Sequence, residues 1–239
     1  MSQDWKRALL GLGVGCFLTV WILWPTLQSL TQVWRSNQAY QFAWLVVPLI
    51  AYMLGWHDRL GTLLIRPQPD LSGVALASIA AVAWIASDLM NIDAGRQLSF
   101  ILAIQGVCMA ALGWGAYWRL SPTLLLMFFM VPSGDFLQPI LRQLTVNIIE
   151  LFATAVGLPH QVEGFQIAIG ESEYIVLNEC AGLPYFLLAT FLGYVFGLML
   201  YRSIYKILAL ALFGAFIGIL SNALRVCAIV WFDCVQGSQ

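Results

Sequence analysis

Long apolar blocks that carry no charge on any face decide what this chain can fold into. Residues 8–24 and 181–201 hold no charged side chain at all, and 207–232 hold only Arg225. A helix in a soluble protein buries one stripe and keeps a polar opposite face. Blocks that are apolar all round belong in a bilayer, where every backbone N–H and C=O must be satisfied internally, by a helix or a closed barrel. Barrel strands alternate apolar and polar residues, and these blocks do not, so the expected class is an all-α polytopic membrane protein. Only 10% of residues are charged and 61% are hydrophobic, at a mean hydropathy of +0.83. Soluble domains carry about 25% and 45–50%. A net charge of −1 speaks against nucleic acid as a partner and leaves the lipid bilayer as the first one.

A bilayer core of ~30 Å takes about 20 helical residues. On that basis the chain reads as about seven spans, near 8–24, 42–56, 71–87, 98–117, 120–131, 181–201 and 207–232, in one integral membrane domain covering 1–239. Lys6 and Arg7 precede the first block as in a signal peptide, but no small-residue cleavage site follows, so the span is read as retained. The 120–131 block is short for a span. Residues 135–156 differ from the blocks around them. Phe136, Leu137, Ile140, Leu141, Leu144, Ile148, Leu151 and Phe152 recur at helical spacing, with Gln138, Arg142, Gln143, Asn147 and Glu150 between them. That pattern predicts an amphipathic helix at the interface, ended by Gly157 and Pro159. Residues 161–178 predict a short β-hairpin turning at Gly170-Glu171-Ser172.

Basic residues set orientation. With the N-terminus inside, Lys6, Arg7, Arg59, Arg66, Arg119, Arg202 and Lys206 face the cytoplasm, against Arg35, Arg96, Arg142 and Arg225 outside. The expected location is a bacterial cytoplasmic membrane, N-terminus inside, with the 132–179 segment on the outer face.

The five cysteines show no CxxC and no Cys/His metal spacing, so neither a metal nor a cofactor is expected. Cys180 stands out by position. It lies in Asn178-Glu179-Cys180-Ala181-Gly182-Leu183-Pro184, where the hairpin meets the sixth span. Pro184 fits a first helical turn. Free N–H groups and the dipole at a helix start favour a thiolate and can hold an oxyanion. A small residue in a crowded helix start fits the same position. Arg225 lies in Ser221-Asn222-Ala223-Leu224-Arg225-Val226, at a depth matching Cys180. A charge inside a span usually faces the protein interior and serves a purpose; snorkelling to the interface is the other reading. Asn222 shares its helical face. His160 is the only histidine expected on the same side as Cys180, as a proton carrier or as a solvated turn residue. Asn178 and Glu179 flank the cysteine and are candidates for support.

An Asn-Glu-Cys-Ala-Gly block opening one span, with Asn-Ala-Leu-Arg-Val near the outer end of the next, resembles the exosortase/archaeosortase family. Val131-Pro132, the stretch from Leu137, Gly157-Leu158-Pro159 and Gly164 through Val176 extend the resemblance over about residues 120–235. The resemblance implies a membrane cysteine transpeptidase or thiol protease, a hydrolase that cleaves a C-terminal sorting signal of secreted proteins. Such a signal has a short motif of the Pro-Glu-Pro kind, a transmembrane helix and a basic tail. The cleaved protein passes to an acceptor, in connection with exopolysaccharide and surface-protein export. It places the nucleophile on Cys180 and the conserved arginine on Arg225. The family's third catalytic position, histidine or arginine, falls after the Asn-x-x-Arg block. No His or Arg follows Arg225, so the expectation is a chain that continues into an eighth span, with His160 as a substitute or an inactive protein as the other readings. A rival function is a non-catalytic scaffold subunit of a polysaccharide export system. A transporter has little support, since inverted repeats are absent.

Overall fold

A computed structural model describes residues 3–57, 66–169, 172–176 and 181–236. The chain divides into two compact units, Met1–Pro132 and Ser133–Gln239. Among the described residues, seven helices are long and apolar enough to cross a membrane: Gln3–Ile22, Gln38–Gly55, Leu71–Leu89, Asp93–Leu112, Gly134–Val156, Leu183–Leu200 and Ile204–Phe232. The protein is therefore a helical multi-pass membrane protein, as its apolar blocks require.

The first unit begins with α1 (Gln3–Ile22) and α2 (Trp24–Ser36). A 3₁₀ stretch, Gln38–Leu45, runs into α3 (Val46–Tyr52). Then come α4 (Leu71–Leu89), α5 (Asp93–Leu112), α6 (Trp114–Leu124) and a 3₁₀ turn, Leu125–Met130. Leu10, Phe17, Trp21 and Ile22 on α1 are exposed, the face a span offers to lipid. Small residues bring α4 and α5 together: Gly73 lies against the Ala110 backbone and Gly106 against the Ala77 backbone. In lipid, close approach of this kind stands in for a hydrophobic driving force.

Polar side chains satisfy the backbone where helices break. Pro122 cannot donate to the Trp118 carbonyl, and the Ser121 hydroxyl donates to it instead at 2.8 Å. Gln105 Nε2 donates to the Leu124 carbonyl at 2.8 Å, and Gln105 Oε1 accepts from the Tyr117 hydroxyl at 3.1 Å. The Trp34 indole donates to Met130 O at 2.9 Å. Unpaired groups here would cost several kcal/mol each in hydrocarbon.

The span count agrees with the sequence reading, but one assignment moves. Residues 120–131 were expected to form the fifth span. Instead Gly113, at φ 84°, ends α5, and the 120–131 block becomes the end of α6 and the 3₁₀ turn. The fifth long apolar helix is Gly134–Val156.

The second unit holds a 3₁₀ turn (Gly134–Leu137), α7 (Gln138–Val156), three short strands, α8 (Leu183–Leu200) and α9 (Ile204–Gln236). The amphipathic helix forms as α7. Its buried stripe is Leu141, Thr145, Val146, Ile149 and Ala153, while Ile140, Leu144 and Leu151 stay exposed. Gly157 closes it in the left-handed conformation at φ 75°.

The strands β1 (His160–Glu163), β2 (Gln166–Ile169) and β3 (Ser172–Ile175) form an antiparallel meander in the order β1-β2-β3. The expected hairpin is β2–β3, in which Gln166 pairs with Ile175 and Ile169 with Ser172. Gly164, at φ 62°, turns the chain one step earlier and makes the expected first strand into two. Turn residues Gly170 and Glu171 lie outside the described residues.

Ile167 and Ile169 of β2 pack with Val146, Ile149 and Ala153 of α7, with Val176 and with Val230 of α9. At 1.5 Å per residue the 33 residues of α9 span about 50 Å, well beyond a ~30 Å hydrocarbon core. An open sheet edge has no place in that core. The sheet therefore marks the interfacial end of the unit, and α9 rises past the core to meet it at Val226 and Val230.

Candidate functional site

Helices α8 and α9 pack as an antiparallel hairpin through two facing small-residue motifs. Gly193 and Gly197 lie four residues apart on α8, and Gly214 and Gly218 four apart on α9. A Cβ on Gly193 would sit 2.5 Å from the Leu210 carbonyl oxygen, and one on Gly218 2.5 Å from the Tyr185 carbonyl oxygen. Gly214 presses against the Ala189 carbonyl and Gly197 against the Ile207 backbone. Contacts this close fix the register of the pair, which sets the start of α8 beside residues 222–225 of α9.

The join is tight. Gly182 is the N-cap of α8 at φ 83°, a left-handed conformation that glycine adopts without steric cost. A Cβ at Gly182 would lie 2.6 Å from the Asn222 side chain. Asn222 is 2% exposed. Its Oδ1 accepts from Arg225 Nη2 at 3.3 Å, and its Nδ2 reaches Thr145 Oγ1 on α7 at 3.5 Å. Arg225 stands with Cζ 5.3 Å from the centre of the Tyr185 ring, one turn into α8. Its Nε is buried and has no hydrogen-bond partner among the described residues. Arg225, half-buried, is thus held by an amide and an aromatic face, and its buried Nε–H is uncommitted among the described residues.

The structure brings Asn222 and Arg225 together, as their spacing predicts. Asn178, Glu179 and Cys180 lie outside the described residues. The two residues that follow them, Ala181 and Gly182, are described and buried. The helix itself begins at Leu183, two residues later than expected, with Pro184 in its first turn. His160 opens β1, and both ring nitrogens face the end of α7. Nδ1 lies 2.9 Å from the Leu158 carbonyl, so Nδ1 carries the proton, and Nε2 lies 3.5 Å from Thr154 Oγ1.

Three neighbours escaped the sequence reading. Thr145 and Tyr185 carry no sequence pattern that sets them apart from their neighbours. Arg142 looked like part of a solvated polar face, yet its Nε donates to the Val176 carbonyl at 2.5 Å and its Cζ lies 3.8 Å from the Phe165 ring centre. The signal available was the pair of small-xxx-small motifs, which align α8 with α9 and bring Tyr185 beside Arg225.

Fold and site together define a multi-pass helical membrane protein with an arginine–asparagine pair locked against a helix start. A family model described as transmembrane exosortase matches residues 34–239, and the chain belongs to that family. The match reaches well toward the N-terminus from the 120–235 region that carried the resemblance. No curated protein and no solved structure matches the chain significantly. Membership supports a sorting-related function at the membrane and is consistent with a cysteine transpeptidase.

Proposed function

We propose that the protein is a thiol transpeptidase or protease that cleaves a C-terminal sorting signal of secreted proteins and passes the product to an acceptor. The observation that carries this reading is the Arg225–Asn222 pair beside Gly182, two residues after Cys180 in a chain of the exosortase family. The Cys180 thiolate attacks the scissile carbonyl, and a tetrahedral oxyanion forms. Arg225 supports that charge; its uncommitted Nε–H and the first-turn N–H groups of α8 are donors of the required kind. The C–N bond then breaks, the amine of the C-terminal fragment leaves with a proton, and a thioester remains on Cys180. An acceptor amine or other nucleophile attacks the thioester and returns the thiol. His160 is the only histidine of residues 133–239, and Nε2 is its nitrogen not committed to a carbonyl, which makes it the candidate proton carrier.

The proposed setting is a bacterial cytoplasmic membrane with the N-terminus inside. In that setting the sheet and the start of α8 lie on the outer face, where exported substrates and exopolysaccharide systems are met. The sorting signal's transmembrane helix is delivered through the bilayer, and its motif meets the site at the interface. The test is Cys180→Ala in cells carrying a tagged substrate. Loss of processing with normal accumulation of the variant in the membrane is expected; unchanged processing sinks the assignment and favours the scaffold reading.

A further inference from the structure

We propose that Arg142 is a positioning residue for this reaction, holding from α7 the strand end that leads into Cys180. The inference rests on the proposed function, and its geometry stands on described residues alone. Val176 is the last of these before the Asn178-Glu179-Cys180 segment and Ala181 the first after it. Arg142 Nε donates to the Val176 carbonyl at 2.5 Å, and the Val176 N–H donates to the Phe165 carbonyl at 2.9 Å. The guanidinium lies over the Phe165 ring, with Cζ 3.8 Å from its centre. One turn along α7, Thr145 meets Asn222, and Asn222 fills the space beside Gly182.

A single turn of α7 thus anchors both ends of the chain around Cys180, Arg142 on the N-terminal side and Thr145, through Asn222, on the C-terminal side. Val176 is buried at 4% exposure, so its carbonyl needs a partner, and a charged donor makes a stronger bond than a neutral one. Stacking on Phe165 fixes the plane of the guanidinium and therefore the aim of Nε. Lysine offers neither the plane nor the Nε.

The test uses the full chain in membranes, with a tagged sorting-signal substrate and a charged alkylating agent. Displacing a reacting group by about 1 Å can cost on the order of 10²-fold in rate. Arg142→Gln is expected to lower turnover by about that factor with KM little changed, and to change the alkylation rate of Cys180 at fixed pH. Arg142→Lys returns both readouts part of the way to the wild-type values. Phe165→Leu, which removes only the ring beneath the guanidinium, moves both readouts in the same direction by less. If Arg142→Gln fails to accumulate, the Lys and Leu variants decide. Wild-type turnover and wild-type Cys180 alkylation in the variants that fold overturn the proposal. Alkylation reports the place of the thiol whether or not it is the nucleophile. Normal processing by Cys180→Ala would therefore sink the transpeptidase reading while leaving the Arg142 result standing.

Discussion

Gly182 and Asn222 occupy one space: the Cβ that any other residue would add at 182 falls 2.6 Å from the Asn222 side chain. The φ of 83° at Gly182 adds a second demand, since a left-handed residue with a Cβ costs about 1–2 kcal/mol. Gly182→Ala must shift either the start of α8 or Asn222, and Asn222 is what holds Arg225. Processing is expected to fall by on the order of 10²-fold while the protein still accumulates in the membrane. Substrate cleavage beside a blot of membrane fractions checks both, and wild-type cleavage would show that the contact has no bearing on the reaction.

Arg225 meets two partners that need a planar guanidinium: the Asn222 amide at 3.3 Å and the Tyr185 ring at 5.3 Å. Lysine keeps the charge and has donors to spare, but it lacks the planar fork that lies over a ring and aims its N–H groups in fixed directions. Arg225→Lys is therefore expected to lose most of its activity. A fall of about 10²–10³-fold fits the loss of one oxyanion donor. Near-normal turnover in the Lys variant would mean that charge alone is used. Initial rates for Arg225→Lys and Arg225→Ala, measured side by side, separate the two.

Much of this was legible in the sequence, for physical reasons that differ by residue. Uncharged blocks such as 181–201 can only be membrane helices, and the Asn222–Arg225 spacing places both on one helical face. The spacing does not say what lies opposite. Tyr185 and Thr145 are chosen by the packing of α8 and α7 around α9, which no local pattern encodes. The 120–131 block reads as apolar enough for a span, yet Gly113 and Pro122 break the helix around it. Arg142 was hidden because a cation on an amphipathic helix is ordinarily solvated, and its partner is a backbone carbonyl, which has no sequence signature.

The register of α8 and α9 is open to test away from the site. A Cβ on Gly214 would press on the Ala189 carbonyl oxygen, backbone that cannot yield cheaply, whereas Gly11 on α1 has nothing within 4 Å. Gly214→Val is expected to destabilise the protein by about 1–3 kcal/mol through overpacking. Gly11→Val leaves stability within about 0.5 kcal/mol. Thermal unfolding in detergent measures both, and equal melting of the two variants would remove the small-residue contact as the determinant of register.

Asp70 caps α4, accepting from the Ser72 N–H at 2.8 Å. That bond, more than any other contact, holds its carboxyl below the usual carboxylate range. A depressed folded-state pKa stabilises the fold above the unfolded value of ~3.9, and the stabilisation is lost as pH falls through the folded pKa. Asp70→Asn retains a capping oxygen but carries no titrating group. The wild type is expected to lose thermal stability relative to Asp70→Asn as pH drops below about 4, with the two differing little in pH response near neutrality. Parallel acid slopes would show that the cap does not contribute to the pH response.

His160 gives the sharpest test of where the leaving group's proton comes from. Its Nδ1–H is committed to the Leu158 carbonyl at 2.9 Å, so Nε2 is the atom left to accept and return a proton. Among the described residues its hydrogen-bond neighbour there is the Thr154 hydroxyl at 3.5 Å, which already donates to the Glu150 carbonyl at 2.8 Å. Asparagine can replace the donation to Leu158 but not the base, so His160→Asn separates the turn from the chemistry. Processing is expected to drop in His160→Asn by about 10²–10⁴-fold, the usual contribution of a general acid–base group, with thermal stability preserved. Added imidazole is expected to restore part of it. Normal processing by His160→Asn would assign the histidine to fixing the chain after α7, and the proton would then have to come from another donor at the interface.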